Sequence, residues 1–116
     1  PFDKSSLQAI EKAILAANLG FNPKNEGEFL RILVPPLTEE RRKDLAKRSK
    51  TVAEETKVGI RNIRRNANDD AKKLKDEGVS EDEVKMVTEK IQELTDKYVK
   101  KIDELCELKV KDILTV

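Results

Sequence analysis

The 116-residue chain contains no histidine and no tryptophan, and only one cysteine, one tyrosine and three phenylalanines. Without histidine it lacks the commonest general base and the usual nucleophile–base triads. One cysteine excludes an internal disulfide framework, and one cysteine with no histidine disfavours a zinc centre. No run of about 18 apolar residues occurs, so no segment has the make-up of a membrane-spanning helix. Neither a signal peptide nor a transit sequence opens the chain at Pro1-Phe2-Asp3. It begins without methionine in what reads as a structured segment, so it is expected to be a fragment. No catalytic residue, metal site or cofactor is expected.

What is abundant is charge, at 41% of residues, beside 37% hydrophobic residues. That mixture suits long amphipathic helices with charged outer faces. The net charge of +1 hides an asymmetry. Residues 38–77 hold thirteen Lys/Arg against nine Asp/Glu, whereas residues 80–116 hold seven against ten. Two such neighbours either pair with each other or present a basic face to an anionic partner.

The first 36 residues form a separate region. Asp3, Ser5 and Ser6 are candidate caps for a helix carrying Leu7, Ile10 and Ile14 at helical spacing, with Gly20 as its stop. Asn22–Gly27 is turn chemistry, and Phe29–Val34 is a β-prone run closed by Pro35 and Pro36. One helix and one strand do not complete a domain, and no partner for the strand is evident.

From Thr38, followed by Glu39 and Glu40, the spacing predicts a helix running to Gly78. Ser80-Glu81-Asp82-Glu83 matches a capping box and opens a second helix to about residue 113. The short turn forces the two antiparallel. On the second helix Val84, Val87, Ile91, Leu94, Tyr98, Ile102 and Leu105 recur at three and four, with Lys109 and Asp112 falling later on the same stripe. Tyr98 is expected in the core and Cys106 as a small packing residue. On the first helix Leu45, Val52, Ile60, Ile63, Ala67 and Leu74 share one arc, with Ser49, Thr56 and Gly59 between them. Gly59 in mid-helix costs about 1 kcal/mol relative to Ala, a cost that close approach of a neighbouring backbone would justify. Two helices do not enclose a core, so a third is wanted, from further sequence or from another copy of the chain.

The opposite arc of the first helix collects Lys43, Lys47, Lys50, Lys57, Arg61, Arg64, Arg65, Asn68 and Lys72, with Glu54 the only acidic residue centred there. Such an arc is either a solvated face, with Glu54 and Asp69 as intrahelical partners, or a rail for phosphates. Three close arginines favour the rail, because guanidinium forks match phosphate oxygens. The absence of interleaved aromatic residues argues against base stacking.

Three stretches together resemble the ribosome recycling factor family. They are Pro35-Pro36-Leu37-Thr38-Glu39-Glu40-Arg41-Arg42-Lys43-Asp44-Leu45, then Val58-Gly59-Ile60-Arg61-Asn62-Ile63-Arg64-Arg65-Asn66-Ala67-Asn68-Asp69, and Ser80-Glu81-Asp82. Upstream, Phe2-Asp3, Ile10–Ile14 and Leu19-Gly20-Phe21-Asn22-Pro23 resemble the second half of the family's small domain. The sequence departs from the usual motif at Gly59, where Ala is typical, and at Asn66, where an acid is usual. The resemblance implies a mainly α fold. A long antiparallel helical hairpin from an incomplete three-helix bundle spans residues 37–116. Residues 1–36 form a remnant (one helix, one strand) of a small α/β domain, ending in a Pro35-Pro36 hinge.

The family likeness also implies a cytoplasmic, non-catalytic translation factor. Such a factor binds the post-termination ribosome and promotes subunit separation with elongation factor G. Arg61, Arg64 and Arg65 match the motif that contacts large-subunit ribosomal RNA, and Arg42 matches a further contact; Lys57 and Asn68 join them from the basic arc. Without its third helix the chain is expected to self-associate over its apolar stripe. The competing expectation is a helical-hairpin module that binds protein helices and has no affinity for RNA.

Overall fold

The computed structural model describes residues 1–116 and divides into two compact units, Pro1–Leu37 and Thr38–Val116.

In the first unit a single 3-10 turn, Lys4–Ser6, leads into α1, Leu7–Ala16. The Asp3 carboxylate caps the turn by accepting from the Ser5 backbone N–H at 2.9 Å, and that bond holds its pKa below the ordinary aspartate value. Helix α1 ends well before Gly20: the left-handed conformation is taken first by Asn18, at φ 49°. Leu7 is its one buried residue.

The expectation of a lone strand is corrected. Pro23–Asn25 form β1, which pairs antiparallel with β2, Leu30–Ile32, in the register Pro23↔Ile32, Lys24↔Arg31, Asn25↔Leu30. Turn chemistry masked β1. Proline is tolerated as the first residue of an edge strand, where its missing donor disrupts nothing. The true turn begins after Asn25, whose Oδ1 accepts from the Gly27 N–H at 2.9 Å, with Gly27 at φ +88°.

The second unit is a hairpin of α2, Glu39–Asp76, and α3, Glu81–Leu114. Thr38 Oγ1 accepts from the Arg41 N–H at 3.1 Å, and Glu39 and Glu40 lie in the first turn where the dipole favours them. At the far end the Val79 N–H reaches Leu74 O at 3.1 Å, with Gly78 at φ +91°. Ser80 Oγ then accepts from the Glu83 N–H at 3.3 Å and α3 begins. At 1.5 Å per residue the two helices are about 57 and 51 Å long.

The helices meet along a different line from the one periodicity favours. Helix α2 buries Ala46, Ala53 and Ala71, not its large aliphatic residues. Helix α3 answers with buried Thr95 and half-buried Val84, Ile91, Val99, Ile102, Cys106 and Val110. Small side chains let the axes approach closely, so the alanines take the contact. Val87, Leu94, Tyr98 and Leu105 on α3 remain exposed, as do Val52 and Ile63 on α2. Tyr98 is 47% exposed and therefore not the core residue its stripe suggested. Lys109 and Asp112 are exposed and pair with each other at 3.6 Å.

Candidate nucleic-acid interface

Helix α2 carries every cation of the expected rail on one rigid rod. Lys43, Lys47, Lys50, Arg65 and Lys72 are exposed, and Arg61 and Arg64 are half-buried. Arg61 and Arg64 have no side-chain hydrogen bond or ion pair within the protein, so both guanidinium groups keep their full donor capacity. Arg65 Nη1 donates to Asn62 Oδ1 at 3.3 Å, one helical turn away, and is otherwise unpaired. The three arginines lie within five residues, and like charges so placed repel unless an anion relieves them. Of the two intrahelical partners weighed for the basic face, Glu54 binds Lys57, whereas Asp69 pairs with no cation; its neighbour Asp70 meets Lys73 at 3.4 Å.

Two cations expected to contact RNA, Lys57 of the rail and Arg42, are engaged inside the hairpin. Lys57 is only 9% exposed and projects toward α3. Its Nζ lies 2.8 Å from Asp103 Oδ1 on α3 and 2.7 Å from Glu54 Oε1. Hydrogen bonding to Asp103 first, and to Glu54 second, raises its pKa above the ordinary lysine value. This corrects the placement of Lys57 on an open basic face. The sequence held a signal for it: Lys57 shares a three-to-four spacing with Ala53, Ile60, Arg64, Ala67 and Ala71, the series that follows the contact line. Asp103 went unremarked because only the paired helix makes it a neighbour of Lys57.

Arg42 also turns inward. Its Nη1 donates to Ile113 O at 2.8 Å and to Thr115 O at 3.1 Å, satisfying carbonyls that the end of α3 leaves without intrahelical partners. Asn68 is half-buried, and its Oδ1 accepts no hydrogen bond from the protein. Pro35 and Pro36 are exposed and lie just before the boundary at Leu37.

On the side of the hairpin where the large aliphatic residues emerge lies an apolar groove of about 360 Å³, lined by Ile60, Ile63, Ala67, Ile91, Leu94 and Tyr98. Arg64 stands among its lining residues, next to the rail. At the turn end Lys75 Nζ meets Glu81 Oε1 at 2.6 Å, which raises the lysine pKa and lowers that of the glutamate. No group of histidine, cysteine, aspartate and glutamate side chains could hold a metal ion. No helix is long and apolar enough to cross a membrane.

Comparison with known proteins fits this geometry into a family. Residues 1–114 match the family model described as ribosome recycling factor. A ribosome-recycling factor of Flavobacterium johnsoniae is 60% identical over 116 residues, covering 100% of this chain and 62% of the relative. Those of Halalkalibacterium halodurans and Clostridium tetani are 55% identical over 117 residues and 50% over 116, each with 63% of the relative covered. The chain thus spans less than two thirds of the length of these relatives. With its arginine cluster, long hairpin and small β-containing unit all inside the matched range, the chain belongs to the ribosome recycling factor family.

Proposed function

We propose that the hairpin is the ribosome-binding part of a translation factor, with α2 set against large-subunit ribosomal RNA. The observation that carries this reading is the cluster of Arg61, Arg64 and Arg65, none of whose guanidinium groups has an anion in the protein. Each fork can give two parallel N–H bonds to a phosphate, and a 57 Å rod fixes their spacing. Exposed Lys43, Lys47, Lys50 and Lys72 extend the positive edge, and Asn68 contributes an amide beside it. Arg42 supplies a contact through the donors it does not spend on α3. The factor performs no covalent chemistry. It occupies the post-termination ribosome in the cytoplasm, and elongation factor G drives the subunits apart. Pro35 and Pro36 form the hinge between residues 1–36 and the bundle portion, because proline limits that segment to few backbone conformations.

The reading predicts that Arg64→Ala weakens binding to large subunits by about 1–3 kcal/mol, the worth of a charge-assisted hydrogen bond. Binding measured at moderate salt checks this, and an unchanged dissociation constant would refute it.

The apolar groove favours a second reading for the isolated chain. Ile63, Leu94 and Tyr98 of its lining are exposed, as are Val87 and Leu105 on α3. A two-fold pair needs about 800 Å² from each partner, so a second copy would have to lie along the helices beyond the groove itself. The groove also fits the alternative of a protein-binding hairpin without RNA affinity. Salt dependence separates the two, because phosphate neutralisation gives a steep fall of affinity with salt and apolar docking does not.

A further inference from the structure

Lys57 is the best-engaged cation of α2, yet it lies one helical turn from Arg61, whose guanidinium has no partner. Its two carboxylates come from different directions: Glu54 from its own helix and Asp103 from α3. Both carboxylates are more than half exposed, so neither is kept in place by burial. Lys57 and Arg61 are four residues apart, about 6 Å along the axis, on nearly the same side of α2. An arginine side chain spans that distance. Asp103, bound by the residue one helical turn from Arg61, is therefore an anion the fold could offer to Arg61, and Lys57 occupies it, whereas Asp96, seven residues earlier on α3, accepts from the Gln92 amide. Glu54 is seven residues from Arg61, about 10.5 Å along the axis, and competes less.

We propose that Lys57 is a positioning residue that neutralises Asp103 and so leaves Arg61 free for an RNA phosphate. This inference rests on the RNA-binding reading above. It removes Lys57 from the phosphate contacts and gives it an indirect part in them. Without the lysine, Arg61 turns back to Asp103 and one phosphate contact is lost, although the substituted residue never touched RNA.

The test compares the full chain with Lys57→Met, Lys57→Met/Asp103→Asn and Lys57→Arg. Binding to purified large ribosomal subunits is followed over a salt series, with helicity checked by circular dichroism. Lys57→Met is expected to lose roughly one phosphate's worth of salt slope, close to 0.7–0.9 log unit per log unit. Removing Asp103 as well restores the slope, and Lys57→Arg retains it. A double variant as shallow in slope as Lys57→Met, with full helicity, overturns the proposal, because Lys57 would then itself meet phosphate. Loss of helicity in Lys57→Met that Asp103→Asn fails to repair also overturns it, in favour of a purely structural role.

A second readout needs no ribosome. Solvent exchange of the Arg61 Nε–H, followed by nitrogen-15 NMR, is expected to slow in Lys57→Met and recover in the double variant. No change in that signal overturns the inference even where binding is normal. Failure of the unaltered chain to bind subunits overturns the RNA-binding reading instead, and leaves the Arg61 signal to decide the role of Lys57.

Discussion

The two sides of the helical hairpin are built from the same two helices and behave as opposites. One side carries a groove of Ile60, Ile63, Ile91, Leu94 and Tyr98 that the two helices leave open. The other carries the cations of α2, of which Lys57 is drawn inward to α3 and Arg61 is left without a partner. Between them runs a thin seam of alanines and one buried threonine, and no side chain is less than 2% exposed. The contrast teaches that the α2–α3 contact is a spacing device more than a core. Alanine buries little apolar area, so burial at the seam supplies modest stability, while the large aliphatic residues remain available for something else. On the cationic side Lys57 takes both Glu54 and Asp103, and Arg61 and Arg64 keep their donors.

The largest expected effect tests the independence of the two sides. Ile63→Asp with Leu94→Asp puts two charges into the groove, and burying an unpaired charge is strongly unfavourable. In sedimentation at tens of micromolar the unaltered chain is expected to be a dimer and this variant a monomer, with subunit binding retained. A monomeric unaltered chain of full helicity would break the comparison on its apolar side.

Gly59 sharpens the contrast at the backbone. A close neighbouring backbone was the expected reason for it, yet a Cβ built there meets nothing within 4 Å. Gly59→Ala is therefore expected to stabilise the hairpin by about 1 kcal/mol in urea unfolding, the difference in helix propensity. A loss of stability would mean that a partner, absent from the free chain, approaches α2 at this point.

The smallest effect concerns the turn end, where Lys75 and Glu81 join the two helices at 2.6 Å. The glutamate pKa is lowered by the lysine, so this contribution is fully present above the ordinary glutamate value and is lost as pH falls through the lowered one. The lysine pKa is raised by the glutamate, so its contribution holds below the ordinary lysine value and fades as pH rises through the raised one. Carbon-13 titration should place the Glu81 midpoint below that of an ordinary glutamate. A midpoint at the ordinary value would remove the pair from the account. Both side chains are well exposed, and salt should weaken the effect.

Much of the fold was legible because caps and periodicity are local. Thr38, Gly78 and Ser80 mark the helix ends where the structure has them. Less legible were features that depend on which residues of two elements meet. The strand at Pro23 was hidden by turn-forming residues and appears only when Ile32 is set opposite. The seam was misplaced because hydrophobic periodicity weights large residues, whereas Ala46, Ala53 and Ala71 win by letting the helices approach. Lys57 looked like a rail residue, and the inward turn of Arg42 went unseen, for the same reason. Their partners, Asp103 and the carbonyls of Ile113 and Thr115, lie on or just after α3, 46 to 73 residues away in sequence. The arginine cluster was legible in full as a run of α2, while its lack of an internal anion could be read only from the paired helices.

The most direct test of the account is co-sedimentation of the chain with purified large ribosomal subunits across a salt series, beside a variant with Arg61→Glu, Arg64→Glu and Arg65→Glu and verified helicity. The account predicts salt-sensitive binding by the unaltered chain and none by the variant. Equal binding by both would contradict it, because the cationic side of α2 would then not be the surface that meets the ribosome.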